Sequence, residues 1–168
     1  TSEVAFDGTP ALLLGERGQG ITYLREILAE IRLMTAALSL GVARAAEEDA
    51  VDDAGQREQF GRPIAKFQAI QLHLADNAVD LQAARRLTQW AAWYREAGNP
   101  CEDEASMAKL AASEAAHRIC DRAARVAASY GFARDYPFER YMRDARFLLV
   151  GGGTSEILRV NIGRSRAR

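Results

Sequence analysis

Cysteine and histidine are scarce in this chain, with two of each among 168 residues. Cys101 and Cys120 lie far apart without a C-x-x-C spacing, which excludes a zinc knuckle and a disulfide framework and suits a reducing cytoplasm. His73 and His117 are isolated from any second ligand at metal-binding spacing, so no metal site is expected. No apolar run reaches the ~20 residues that a membrane span needs, and the first residues lack a signal-peptide pattern. An excess of one charge is also missing. Lys plus Arg number 22 against 23 Asp plus Glu, so no overall field favours nucleic acid or an anionic membrane. The basic stretch from Arg159 to Arg168 is what a helix C-terminus favours anyway. The acidic run Glu47, Glu48, Asp49, Asp52 and Asp53 reads as a solvated helix face.

What remains is the composition of a helical domain: 48% hydrophobic and 27% charged, with 13 glycines and 4 prolines. A chain of this length suits one domain with one core. From Ile21 onward apolar residues recur three and four apart through Tyr23, Leu24, Ile27, Leu28, Ile31, Met34, Leu38, Val42 and Ala46, which predicts a long helix to about Ala54. Gly55 and Phe60-Gly61-Arg62-Pro63 interrupt it. Pro63 is placed to be the first residue of a second helix, where its missing N–H costs nothing. That helix is predicted to stop at Gly98-Asn99-Pro100, and a third to run from about Cys101 to Ser129. Shorter helices follow Pro137 and Gly153. Trp90, Trp93 and Tyr94 are expected to supply the larger pieces of the core.

The pattern predicts an all-α fold, an antiparallel up-and-down four-helix bundle over residues 21–168. Residues 1–20 contain a strand-like Val4-Ala5-Phe6 and the turn signal Asp7-Gly8-Thr9-Pro10, an extended remnant with no partner strand elsewhere in the chain.

Several spaced motifs carry more specific information. Arg143-Asp144-Ala145-Arg146 leads to Val150-Gly151-Gly152-Gly153-Thr154-Ser155-Glu156-Ile157. The glycine run is not a P-loop, because no Gly-Lys-[Ser/Thr] follows. It frees backbone N–H groups at a helix start, with Thr154 or Ser155 as cap. Upstream lie Arg57-Glu58-Gln59-Phe60-Gly61-Arg62-Pro63-Ile64, then Phe67-Gln68 and Leu74-Ala75-Asp76. Ala108-Lys109 and Tyr136-Pro137-Phe138-Glu139-Arg140 come between. Together, and in this order, these segments resemble the C-terminal region of the acyl-CoA dehydrogenases.

That resemblance implies an FAD-dependent α,β-dehydrogenation of acyl-CoA thioesters, with electrons passed to an electron-transfer flavoprotein or similar acceptor, and assembly into homo- or hetero-oligomeric dimers or tetramers. It also makes residues 1–20 the tail of a preceding β-domain, with FAD and thioester held between that domain, this bundle and a neighbouring subunit. By the same resemblance Arg57, Gln59, Phe60 and Gln68 contact FAD, with Thr154 and Glu156 at the glycine run. Phe60 has a second reading as a loop plug against the core.

Two elements depart from the family pattern. The glutamate that serves as base in E-G-T-[SN]-E-I is replaced by Gly152, and the Glu of the alternative E-R pair on the first long helix is replaced by Ile31, ahead of the retained Arg32. Glu30, one residue earlier, is the shifted candidate base. It is turned by about 100° from Ile31, and a solvated or salt-bridged glutamate is the competing reading. Arg32 reads either as an active-site or as an interface arginine. The Q-x-x-G-G-x-G-[YF] segment is Arg125-Val126-Ala127-Ala128-Ser129-Tyr130-Gly131-Phe132, with both tight glycines lost. Two functions follow as alternatives: an acyl-CoA dehydrogenase with an unusual base, or a non-catalytic partner subunit that contributes interface and part of the flavin site.

Overall fold

The computed structural model describes residues 2–167; Thr1 and Arg168 lie outside the described residues. Five helices follow one another: α1 (Gly20–Gln56), α2 (Gln68–Glu96), α3 (Glu102–Ala127), α4 (Phe138–Leu148) and α5 (Ser155–Arg166). Between α1 and α2, β1 (Glu58–Gln59) and β2 (Arg62–Pro63) form a small antiparallel hairpin, with Glu58 opposite Pro63.

Cross-chain contacts fix the directions. Arg95 near the end of α2 pairs with Glu30 near the start of α1, so these two helices are antiparallel. The α3 helix returns parallel to α1, with Arg32 bonded to Ser106 at one end and Arg57 to Ala127 at the other. The fourth lane is shared by α4 and α5. Tyr141 donates to Asp49 far along α1, the glycine turn lies at Lys109 on α3, and Arg159 and Arg166 follow alongside Glu114 and Met107. The expected up-and-down bundle is therefore present, and its fourth helix is broken near the middle.

The interface of α1 with α3 is made of small side chains. Ala29, Arg32, Ala36, Ser39, Ala43, Ala46, Ala50 and Ala54 are the buried residues of α1. Their spacing is three or four residues throughout, alternating from Ala29 to Ala50, the repeat of a shallow left-handed crossing. On α3 the matching stripe includes Ala105, Ala108, Ala112, Ala116 and Ala123, each 0% exposed. Short side chains let the backbones approach closely, and a few larger ones, among them Ile64, Leu81, Ile119, Val126, Phe138, Leu148 and Leu158, fill what remains.

That packing corrects several expectations. The large apolar residues of α1 that predicted its core face, Leu24, Ile27, Ile31, Met34 and Leu38, are exposed. Periodicity reported the helix correctly, but two stripes share this period and alanine won the core because α1 and α3 pack backbone to backbone. Trp90 and Trp93 on α2 are outside too, with Trp93 62% exposed. Pro63 does not start α2; it ends the hairpin and precedes a 3₁₀ turn at Ile64–Lys66, and α2 begins at Gln68. The α3 helix ends at Ala127, where Ala128 takes φ 54° and ψ −121°. Val4-Ala5-Phe6 is exposed and forms no strand among the described residues.

Candidate functional site

The break in the fourth lane creates a buried polar site. After α4 the chain turns through Leu149 to Thr154 before α5 begins. Gly152 and Gly153 have φ of +72° and +115°, backbone that side-chain-bearing residues rarely adopt. The exposed carbonyls of this turn point at two buried cations. Lys109, 0% exposed, donates through Nζ to the Gly153 carbonyl at 2.7 Å and the Leu149 carbonyl at 3.3 Å. Arg32 donates through Nε to the Gly152 carbonyl at 3.4 Å and through Nη1 to Ser106 Oγ at 3.0 Å. On the other side, Thr154 caps α5 by accepting from the Ile157 N–H at 3.3 Å. The Gly152 N–H makes no hydrogen bond among the described residues.

Neither cation has a carboxylate within 4 Å among the described residues. Burial pulls the Lys109 ammonium below its ordinary range, opposed by the more distant Glu114 and Glu156. It does the same to the Arg32 guanidinium, opposed by Glu102. Sequence reasoning gave no role to Lys109, Ser106 or Thr35. Lysine at 109 stands on the alanine stripe of α3, and a cation on a buried stripe was the available signal.

The two positions where the resemblance places a base meet in space. A Cβ built on Gly152 would lie 3.6 Å from Ile31 Cγ2 and 3.2 Å from Thr35 Oγ1. A carboxylate from either position would reach the same spot, and neither residue supplies one. Glu30 does not enter it. Its carboxylate accepts from Arg95 Nε at 2.7 Å, in the seam between α1 and α2, and is half exposed. The competing reading of Glu30 as a salt-bridged flank residue therefore describes its contacts, whereas Arg32 does line the site.

Arg32 and Ser106 also line a cleft of about 670 Å³ between the first half of α1, the start of α3 and the end of α5. Its lining includes Arg25 and Leu28 of α1, Glu102, Asp103 and Glu104 of the first turn of α3, and Arg164 of α5.

At the opposite end of the bundle Arg57, Gln59 and Phe60 come together with Arg125 and Ala128 around a cleft of about 240 Å³ floored by Ile64, Phe67, Ile70 and Val126. Phe60 is no plug. It is 92% exposed, held out by the hairpin at φ 54° and set edge-on to Phe67. Arg57 donates to the Ala127 carbonyl at 3.0 Å and lies over the Tyr130 ring, which stacks on Tyr136 at 4.5 Å. An apolar floor, a free aromatic face and arginines at the rim fit a flat-ringed ligand with an anionic arm, as a flavin dinucleotide is. Gln68 is exposed at the start of α2 and does not line this cleft. Glu156 is exposed in the first turn of α5, where it suits the helix dipole. Gly131 keeps the third glycine of its segment, for a Cβ there would sit 2.3 Å from the Ala124 carbonyl oxygen. Ala128 retains a glycine-like backbone despite its side chain.

Among the described residues no helix is long and apolar enough to cross a membrane. The family model for the acyl-CoA dehydrogenase C-terminal domain matches residues 18–166. Benzylmalonyl-CoA dehydrogenase of Aromatoleum aromaticum is 56% identical over 168 residues, which cover 98% of this chain and 45% of that protein. Butyryl-CoA dehydrogenase from Megasphaera elsdenii superimposes with a TM-score of 0.90 at 38% identity, over 92% of this chain and 40% of its own. A structure reported as the electron transferring flavoprotein of Acidaminococcus fermentans gives the same TM-score at 40% identity, again over 92% and 40%. The chain thus spans less than half the length of the relatives it matches.

Proposed function

The chain belongs to the acyl-CoA dehydrogenase family, whose members are FAD-dependent oxidoreductases, and from that premise we propose that the full-length protein dehydrogenates an acyl-CoA thioester carrying a carboxylate on its α-carbon. The observation that carries this reading is the empty base position, where Gly152 and Ile31 converge without a carboxylate. Ordinary α,β-dehydrogenation needs a general base within hydrogen-bond reach of the α-proton. A malonyl-type thioester does not. Its C–COO⁻ bond breaks, CO2 departs, and the electron pair stays on the α-carbon as an enolate. That pair becomes the C=C bond as hydride leaves the β-carbon. FAD, when bound, supplies the acceptor for the hydride. The benzylmalonyl-CoA relative supports this substrate class.

This chain's own residues then have defined work. The unengaged Gly152 N–H is available to the thioester oxygen, and a donor aimed at developing enolate charge is worth several kcal/mol of barrier, roughly 3 kcal/mol in comparable oxyanion sites. Lys109 and Arg32 hold the turn that presents it. Arg32 joins this turn to the 670 Å³ cleft, whose lining carries Arg25 and Arg164 together with Glu102, Asp103 and Glu104. Arg57, Gln59 and Phe60 are the residues that would hold FAD, and Gln68, Thr154 and Glu156 stand as its further contacts by family resemblance. The exposed apolar stripe of α1 supports assembly with the remainder of the protein and with other subunits into a dimer or tetramer. An electron-transfer flavoprotein is the proposed electron acceptor.

The test is anaerobic mixing of the FAD-loaded full-length protein with benzylmalonyl-CoA or with 3-phenylpropanoyl-CoA, following flavin bleaching and CO2. Bleaching with one CO2 per enoyl thioester from the first compound alone is expected. Equal bleaching by both would place a working base at the site and sink the decarboxylative reading.

A second reading has its own observation. Ala128 carries a side chain at φ 54° in the wall of the Arg57–Phe60 cleft, as a decayed cofactor site in a non-catalytic partner subunit would. One FAD per chain in the protein purified alone speaks for the enzyme; flavin held only in a mixed complex, at one per two chains, speaks for the partner.

A further inference from the structure

The glycine turn rests on two buried cations and offers no anion to balance them. Two of the five N–H donors of Arg32 are engaged, one by Gly152 and one by Ser106. The others have no partner among the described residues, and the side chain lines the large cleft. Beside it the space that a side chain on residue 152 would fill is bounded by Ile31 and Thr35. Thr35 Oγ1 is not spare, since it donates to the Ile31 carbonyl at 2.7 Å. Among the described residues, the hydrogen-bond donors left free near this spot are those of Arg32 and the Gly152 N–H.

We infer that Arg32 is the residue that selects the substrate's carboxylate, which takes the place left by the missing protein carboxylate. This rests on the dehydrogenase reading above and assigns its substrate specificity to one side chain. Arg32 touches the carbonyl of Gly152, the same residue whose N–H is left unengaged, so a carboxylate on its free donors is held next to the turn that receives the thioester. A guanidinium binds it by charge-assisted hydrogen bonds, stronger than neutral ones. Ile31, with no donor, leaves the carboxylate held from one side only. Such a grip recognises the group without fully solvating the charge that must be lost as CO2. Lys109 acts differently, as a positioning residue, because its ammonium is used up on the turn itself.

Malonyl-CoA and acetyl-CoA differ by the carboxylate alone, and neither has a β-hydrogen, so neither can be dehydrogenated. Their dissociation constants are measured by flavin-spectrum titration of the FAD-loaded full-length protein. Malonyl-CoA is expected to bind tenfold or more tightly than acetyl-CoA. Arg32→Gln is expected to bring the ratio near one, and Arg32→Lys to restore part of it. Lys109→Met should weaken both thioesters alike and leave the ratio intact. A wild-type ratio near one, or a ratio unchanged in Arg32→Gln, overturns the inference; if Arg32→Gln does not fold, the wild-type ratio and Arg32→Lys decide it. Because the ratio needs no turnover, it is read separately from the bleaching experiment.

Discussion

Placing a glutamate at position 31 or at position 152 should convert the base-free site into one that removes an α-proton. Ile31 is helical and 40% exposed, so Ile31→Glu forfeits only part of a buried isoleucine's worth, about 1–2 kcal/mol. Gly152→Glu puts a side chain at φ +72°, at about 1–2 kcal/mol for left-handed backbone, and its Cβ meets Thr35 Oγ1 at 3.2 Å. Neither cost approaches the roughly 5–15 kcal/mol by which domains are stable. A positioned general base is worth roughly 10²–10⁴-fold in rate. The assay is exchange of the α-protons of butyryl-CoA in D2O, followed by NMR with the FAD-loaded full-length protein. Wild type should exchange at the uncatalysed rate, and both variants at least about a hundredfold faster. Ile31→Glu should be the more stable of the two at equal activity, since only Gly152→Glu strains the backbone. Rapid exchange in wild type would refute the reasoning, because it would mean that a base already reaches the α-carbon. Folded variants that both fail to exchange would refute the convergence of the two positions.

Ala128→Gly should relieve positive-φ strain of about 1–3 kcal/mol less an entropic cost of about 0.4–1 kcal/mol, raising Tm by a few degrees in a thermal melt. Gly131→Ala forces a methyl to within 2.3 Å of a carbonyl oxygen and should lower Tm strongly, by the equivalent of about 3 kcal/mol. Asp80 accepts from Arg118 and Arg122, whose hydrogen bonds and charges hold its carboxyl below the usual range. Its stabilisation is present above the unfolded pKa and is lost as pH falls through the lower folded one, so urea midpoints of wild type and Asp80→Asn should differ at neutral pH and converge in acid. Burial pushes the Cys120 thiol up to about 12; native protein at pH 8 should leave it unlabelled by iodoacetamide, and stability should fall as pH rises above the unfolded thiol's range of about 8.5. Early labelling of Cys120 in folded protein would count against the packing of α3.

Much of the fold was legible because helices announce themselves locally. The three- and four-residue spacing on α1, the stops at Gly98-Asn99-Pro100 and near Gly131, and the cap at Thr154 placed the elements to within a few residues. The motif Arg57-x-Gln59-Phe60 falls on the smaller cleft because its residues are contiguous in sequence, whereas the 670 Å³ cleft is lined by residues of α1, α3 and α5 that no single motif joins. Glu30, the shifted candidate base, is turned by about 100° from position 31, and in the fold that turn brings its carboxylate to Arg95 on α2. Lys109 entered only as part of the Ala108-Lys109 family segment, without a role, because its partners, the carbonyls of Leu149 and Gly153, lie across the bundle.

The sequence by itself determined the helices, their order, the family, and the absence of a carboxylate at positions 31 and 152, because each of these is written in residue identity and short-range spacing. Tertiary structure alone decided which of two equally periodic stripes on α1 is buried, since that depends on how closely α3 can approach. It also decided that positions 31 and 152, 121 residues apart in the numbering of the chain, share one space, and that two cations lie beneath it without an anion. Those are relations between helices, and no local pattern encodes a distance across a bundle.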